Sequence, residues 1–286
     1  MKVGAHGGSF RSGNPGIPEP GSGNSRRNPE PRQQNGWAKR RLEWRHRQPE
    51  RMDAPGLDPA LHRQALDGLA RINRVSGTAR RLWSTIEREC VPAGSSLRVL
   101  EIGSGGGDVL RSMAQRHPEH VFHGVDIQPV AVEYARERSA SVDNVRFAVA
   151  DVLSSARGSG ESFSEACRIA DFGPGEPTGY DVVMSSLFLH HLDEIDAVNM
   201  LKACRFYSKN LVLVDDLCRT RAGYALAWLG ARILSRSPVV HTDGPLSVAG
   251  AFTPAEARLL ACAAGLRRVE VQTHWPERFL LSANSW

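Results

Sequence analysis

The sequence predicts an α/β fold, a doubly wound and mostly parallel sheet of seven strands with a C-terminal antiparallel hairpin. Three observations carry this expectation. Short runs rich in Val, Leu and Ile alternate with helix-like stretches. Those runs are nearly continuous in apolar residues, as strands buried on both faces require. The last two runs follow one another with no helix between them, which reads as a hairpin rather than a parallel crossover.

The elements follow in order. After Met52, "LDPALHRQALDGLARINRVSGTARRLWSTIERE" reads as helical, with Leu57, Leu61, Ala65, Leu66 and Leu69 at helical spacing. Strand-like runs occupy residues 97–102, 121–126, 145–151, 180–186 and 210–216. Between them lie the helix-like "DVLRSMAQR", "QPVAVEYARERS" and "DEIDAVNMLKACRFYS", in which Pro129 suits a first helical turn and Asp193 an N-cap. "TPAEARLLACAAG" is a further helix, and "LRRVEVQTHW" with "RFLLSA" forms the closing hairpin. Two interruptions stand out: a Gly/Ser/Pro-rich stretch at 154–179, expected as a long mobile loop, and 217–252, expected as a helical lid insert.

Charge separates the chain into two parts. Residues 1–51 hold 11 Lys/Arg against 4 Asp/Glu, with 8 Gly and 6 Pro. This composition cannot bury enough apolar surface to offset the entropy of ordering, so a disordered basic tail, dispensable to the fold, is expected there. Its end, "KRRLEWRHR", is also compatible with a nucleic-acid arm or an address signal. Residues 52–286 carry 25 basic and 27 acidic side chains, so the folded part is not basic and nucleic acid is not an expected partner. The five cysteines stand singly, which fits reduced thiols in a cytoplasmic protein and neither a disulfide frame nor a zinc site. "AGYALAWLGA", the most apolar stretch, is too short to span a bilayer.

"EIGSGGGDVL" (101–110) marks the first strand end. No Lys follows the glycines, which excludes a P-loop, and Asp108 stands where a dinucleotide fingerprint needs its third small residue. An acid at that helix N-terminus suits the dipole and repels a pyrophosphate. The pattern that fits is E-x-G-x-G-x-G, formed by Glu101, Gly103, Gly105 and Gly107. Asp126 in "GVDIQ" ends the second strand and Asp151 in "AVADVL" ends the third.

On these three motifs, over roughly residues 75–286, the chain resembles the Rossmann-like class I S-adenosylmethionine-dependent methyltransferases. The resemblance implies S-adenosylmethionine as cofactor. It implies backbone contact at Gly103, Ser104, Gly105 and Gly107, Glu101 near the ammonium group, and Asp126 on the ribose hydroxyls. It further implies Ile127 over the adenine, Asp151 and Val152 at the adenine edge, and Ser185 at the fourth strand end. "SSLFLHHLDE" is similar to a segment of quinone-biosynthesis methyltransferases. Some ubiquinone O-methyltransferases carry E-x-x-E-H there, with carboxylates that assist metal binding. Leu187, His190 and His191 hold the matching positions, so no metal is expected.

Methyl transfer to a phenol or enol benefits from a base, and His190, His191 and His241 are the candidates, with Asp215 or Asp216 to orient a ring. Only one of His190 and His191 is expected to face the pocket. His241 and Asp243 lie beside a Gly-Pro turn in "VVHTDGPLSV". The stripe Tyr224, Leu226, Trp228, Leu229 and Ile233 is expected to pack on the core or line an apolar pocket. The lid and tail resemble a bacterial subgroup found with polyketide-type pathways, which implies a small phenolic, quinone-like or polyketide acceptor. An RNA or protein methyltransferase and a non-catalytic cofactor-binding protein stay open as alternatives. Against the former, "MSSLF" stands where amino-group methylation uses [ND]-P-P-[FYW].

Overall fold

The computed structural model describes residues 42–54, 56–90, 96–153 and 179–285. Seven strands form one sheet in the order β3-β2-β1-β4-β5-β7-β6. Their ranges are β1 Arg98–Ile102, β2 Val121–Asp126, β3 Val145–Val149, β4 Tyr180–Ser186, β5 Ser208–Leu217, β6 Arg267–His274 and β7 Arg278–Asn284. The first five are parallel, and β7 runs antiparallel between β5 and β6. The expected fold class is therefore the observed one, hairpin included.

Alternation along the strands sets up two cores. Val99, Val182, Met184, Leu211 and Leu213 face one layer of helices. Leu100, Val183, Val212 and Val214 face the other. Burial of both faces explains why the sequence runs are continuous rather than alternating.

The helices are α1 Pro59–Ser76, α2 Thr78–Cys90, α3 Asp108–Ala114, α4 Pro129–Arg138, α5 Glu194–Tyr207, α6 Arg221–Leu234, α7 Pro238–Gly250 and α8 Pro254–Ala263. The long helical stretch after Met52 is broken at Gly77, whose φ of 69° ends α1. Pro129 starts α4 and the Asp193 side chain caps α5, as expected. Strand order reverses at β1, between β2 and β4, so the carboxyl ends of these strands open a crevice at the switch point. Among the described residues, no helix is long and apolar enough to cross a membrane.

Three expectations are corrected or fall outside the described residues. Residues 154–178 of the expected mobile loop lie outside them. The insert after β5 is two helices, α6 and α7, and the Asp-Gly-Pro stretch lies inside α7 rather than in a turn. Pro245 forfeits one helical hydrogen bond there, and burial of Val239, Val240 and Val248 holds the helix in place.

The packed body also begins upstream of Met52. Arg45 donates to the carbonyls of Gly250 (2.7 Å), His190 (3.1 Å) and Leu192, and its guanidinium lies 3.7 Å from the centre of the Phe252 ring. The amides of Arg51 and Met52 donate to the Asp243 carboxylate at 3.1 and 2.9 Å, tying a 3₁₀ turn (Arg51–Asp53) to α7. A low-apolar segment can order in this way because side-chain-to-backbone bonds, not apolar burial, hold it. Removing residues 1–51 is therefore expected to lower the melting temperature by about 5 °C or more relative to a chain starting at residue 42. Differential scanning calorimetry of the two fragments checks this.

Candidate active site

Two cavities of about 310 Å³ each open at the carboxyl ends of the strands. The first is lined by the β1–α3 loop, Asp126, Ile127, Asp151 and Val152. The loop glycines are required by geometry. Gly103 has φ 71°, and a Cβ on it would stand 2.5 Å from the Phe188 ring. Gly107 has φ 69°, and a Cβ there would meet Phe147 at 2.4 Å. Ser104 is buried, with a hydroxyl that has no hydrogen-bond partner.

The carboxylates of this cavity, and Glu101 behind it, which does not line it, are held in a dry setting. Glu101 is 1% exposed; its Oε1 accepts the Ser186 hydroxyl at 2.6 Å and its Oε2 has no partner. Burial pushes its carboxyl up to about 8, with the Ser186 bond opposing and Asp108 and Asp126 adding to the rise. Asp126 accepts the Gly105 amide at 2.8 Å and the Gln128 amide at 2.9 Å, one on each oxygen. Burial raises its carboxyl, and those two amides oppose the rise. Asp151 accepts the Leu153 amide at 2.9 Å. Burial likewise raises Asp108, which lines the cavity at the start of α3. Such an acid-rich, phosphate-repelling cavity suits a cationic ligand. Ser185 does not line it: it points to the other face of β4, and the alternation of the strand gives that place to Ser186.

The second cavity is apolar, walled by Leu226, Leu229, Ile233, Val240 and Trp275. Leu226, Leu229 and Ile233 are the part of the expected stripe that reaches it; Tyr224 and Trp228 do not. Met52, Leu69, Leu187 and His191 line both cavities and form their common wall. Leu187 has φ 51°, a conformation uncommon for a branched side chain, at the point where β4 gives way to a 3₁₀ turn (Leu189–His191).

Contrary to expectation, both histidines of that turn line the apolar cavity, with ring centres 4.3 Å apart. His190 Nδ1 meets Asp216 Oδ1 at 2.6 Å, and His191 Nδ1 meets Asp53 Oδ2 at 2.7 Å. The two Nε2 atoms turn toward Glu50, at 3.7 and 3.9 Å from its oxygens. Burial lowers the His191 imidazole, but the Glu50 and Asp53 carboxylates outweigh it and lift the group to about 9. Burial works against ionisation of Asp216 and Asp53, and their histidine partners hold both below the usual carboxylate range.

The other candidates lie elsewhere. His241 Nε2 meets the Ser235 carbonyl at 2.8 Å and lines neither cavity. Asp215 is fully buried beside Arg278 (3.3 Å) and His274 (2.9 Å), so Asp216, not Asp215, meets one of the candidate histidines, His190. Alternation along β5 separates the two aspartates to opposite faces. Glu50 and Asp53 were not foreseen; they sit in and beside the segment whose composition reads as a tail, and no motif marks them.

Comparison with known proteins bears on the fold and on one stretch of the chain. Residues 100–207, from β1 through α5, match the profile of a methyltransferase domain family. No curated protein sequence matches the chain significantly. In fold it is similar to a SAM-dependent methyltransferase from Aquifex aeolicus, with TM-score 0.54 and 16% identity over 80% of this chain and 100% of that one. It is also similar to the CurJ carbon methyltransferase, with TM-score 0.56 and 13% identity over 80% of this chain and 61% of that one. A family 2 O-methyltransferase from Planctomyces limnophilus, solved with apigenin, gives TM-score 0.53 and 14% identity over 82% of this chain and 63% of that one. The chain thus spans about three-fifths of the latter two proteins and the whole of the first.

The fold and the matched domain are those of a Rossmann-like methyltransferase. Residues 100–207 match a methyltransferase domain, and the chain shares its fold with an S-adenosylmethionine-dependent methyltransferase.

The raised Glu101 has a consequence for stability. Its folded value of about 8 lies above the ordinary 4.5, so the folded state binds the proton more tightly. The corresponding stability is complete below about pH 4.5 and is lost as pH rises through about 8. Glu101→Gln, which cannot ionise, is expected to flatten that part of the profile in the cofactor-free protein. Thermal melts of both proteins from pH 5 to 9 check it.

Proposed function

We propose that the protein transfers the methyl group of S-adenosylmethionine to a hydroxyl or enol oxygen of a small, largely apolar acceptor of phenolic, quinone-like or polyketide type. One observation carries this reading. An acidic, glycine-lined cavity and an apolar cavity meet at a wall that contains His191 and Leu187. Each volume, about 310 Å³, falls in the roughly 300–1,000 Å³ range of small-ligand pockets. The apolar walls suit a ring system better than a nucleic acid or a peptide backbone. We place the reaction in the cytoplasm, where Cys90, Cys204, Cys218 and Cys262 stay free thiols.

In this reading Glu101 Oε2 accepts from the cofactor's ammonium group, because it is a buried and otherwise unpartnered carboxylate oxygen. Each Asp126 oxygen keeps a lone pair beyond its backbone bond and takes a ribose hydroxyl. Ile127, half exposed at the cavity rim, covers the adenine, and Asp151 and Val152 meet its edge. The cofactor supplies an electrophilic methyl on a sulfonium. Protein groups hold the acceptor oxygen on the far side of that methyl and exclude water, which is most of what an in-line displacement needs. The acceptor's O–H bond breaks at the Glu50, His190 and His191 cluster, which takes up its proton. The O–CH₃ bond then forms as the S–CH₃ bond breaks, leaving a neutral thioether.

The deciding experiment is transfer of labelled methyl from S-adenosylmethionine to a panel of phenols, quinols and enols. Methylated product supports the reading; cofactor binding without transfer to any of them overturns it. Asp126→Ala is expected to weaken binding of S-adenosylhomocysteine by about tenfold or more, since charge-assisted bonds contribute roughly 1.5–3 kcal/mol each. Calorimetric titration measures this, and an unchanged Kd refutes the ribose role. Gly230 lines the apolar cavity on α6, and a Cβ there meets nothing within 4 Å. Gly230→Leu is expected to fold normally, to raise the KM of a bulky acceptor severalfold, and to leave the cofactor Kd unchanged.

A further inference from the structure

We propose that Glu50, His190 and His191 form a binding site for one divalent transition-metal ion, with an open coordination position facing the apolar cavity. The three offer one ligand atom each, all within 4.8 Å of one another. They come from two parts of the chain, the segment before α1 and the 3₁₀ turn after β4. The match to E-x-x-E-H, read along the sequence, lacks its carboxylates, but in space a carboxylate arrives from outside the motif.

The distances within the cluster fall into two kinds. The contacts behind the rings, His190 Nδ1 to Asp216 and His191 Nδ1 to Asp53, are hydrogen bonds of 2.6 and 2.7 Å. The contacts in front of the rings, from the Nε2 atoms to Glu50, are 3.7 and 3.9 Å. These exceed a normal N–H···O distance of about 2.7–3.2 Å. They approach the roughly 3–3.5 Å that separates neighbouring ligands bonded at about 2.0–2.2 Å to a common ion. A pair of rings built only to hold Glu50 as an ion pair would meet it at hydrogen-bond length, as they meet the other two carboxylates.

The surrounding bonds orient the ligands in the way metal sites require. A carboxylate on Nδ1 fixes a proton there and leaves Nε2 facing forward for a metal, and here both rings have that geometry. Asp216 is itself held by the amides of His190 (3.1 Å) and Leu217 (2.6 Å). Glu50 accepts the Ser247 hydroxyl at 2.7 Å. Two imidazoles with one carboxylate favour zinc, iron or a similar ion over magnesium or calcium, which prefer all-oxygen sets. Three protein ligands leave at least one position open, and Glu50, His190 and His191 all line the apolar cavity. An acceptor oxygen in that position would ionise on the metal and release its proton to water. This last consequence, unlike the binding itself, rests on the acceptor reading above.

The test uses the full chain, stripped with a chelator and titrated calorimetrically with Zn²⁺, and separately with Co²⁺ while the visible d–d absorption is followed. One ion per chain at micromolar or tighter affinity is expected, with Co²⁺ bands characteristic of nitrogen and oxygen ligands. Glu50→Gln and His191→Asn are expected to weaken binding at least tenfold and to abolish the bands. Asp53→Asn, which touches only a ligand, is expected to weaken it by about 10–100-fold. Thermal melts confirm that the variants fold, and Glu50→Gln, near-isosteric, decides the matter where a histidine variant does not. Absence of saturable uptake, or equal affinity in wild type and Glu50→Gln, overturns the site. Saturable binding with no methyl transfer leaves the metal site standing and removes only the acceptor reading. Methyl transfer by a chain that takes up no ion overturns the metal site alone.

Discussion

The arrangement of the cavity wall depends on two carboxylate–imidazole bonds, Asp216 to His190 and Asp53 to His191. Each joins parts of the chain that are remote in sequence. Asp216 sits near the end of β5, Asp53 in the turn before α1, and the two histidines in the turn after β4. An imidazole without such a partner has free rotation about two side-chain bonds, and two adjacent ones would seldom converge. With both Nδ1 atoms occupied, the rings face Glu50 and the apolar cavity together. The same bonds order the upstream segment, because Asp53 and Glu50 each take a partner inside the fold.

That segment explains why the site closes where it does. Arg45 and the Asp243 carboxylate lash residues 45–52 across α7, while Glu50 reaches Ser247 on the same helix. Helix α7 also packs on α6, whose apolar side walls the second cavity. The segment, helices α6 and α7 and the histidine turn therefore form one connected unit around the apolar cavity. The parallel sheet contributes the other half, the glycine loop and the strand-end acids.

Much of this architecture was legible in the sequence, and the exceptions share a cause. Continuous Val/Leu/Ile runs and helix caps such as Pro129 and Asp193 report local physics, so the strands, most helices and the hairpin were readable. Gly103, Gly105, Asp126 and Asp151, which line the first cavity, were readable because they stand at the ends of consecutive strands. The miss at Ser185, whose place Ser186 takes, is a one-residue error that strand alternation turns into the opposite face. Asp215 and Asp216 were not separable for the same reason. Glu50, Asp53 and the true position of His241 were illegible because they depend on contacts between distant segments. Composition in fact argued against Glu50, since a polar stretch held by side-chain-to-carbonyl bonds looks like a tail. Pro245 misled in the other direction: local propensity favours a turn, and burial of α7 overrides it.

Energetics sharpen the distinction between the two groups of acids. Burying a carboxylate costs several kcal/mol after relaxation, and a buried ion pair is often no more stable than apolar residues of the same volume. Asp215 with Arg278 is paired in this way and acts within the core. Glu101 is not: one oxygen has only Ser186, the other has nothing, and its carboxyl is pushed up to about 8. A chain selected only for stability would place Gln or an apolar residue there. The same holds for Glu50, a single carboxylate between two rings that stand beyond hydrogen-bond reach. Glu50 lines the apolar cavity and Glu101 lies behind the glycine loop, and both are left short of partners that the fold supplies generously elsewhere. Their incomplete satisfaction is what the proposed ligands, an organic cation at Glu101 and a metal ion at Glu50, would complete.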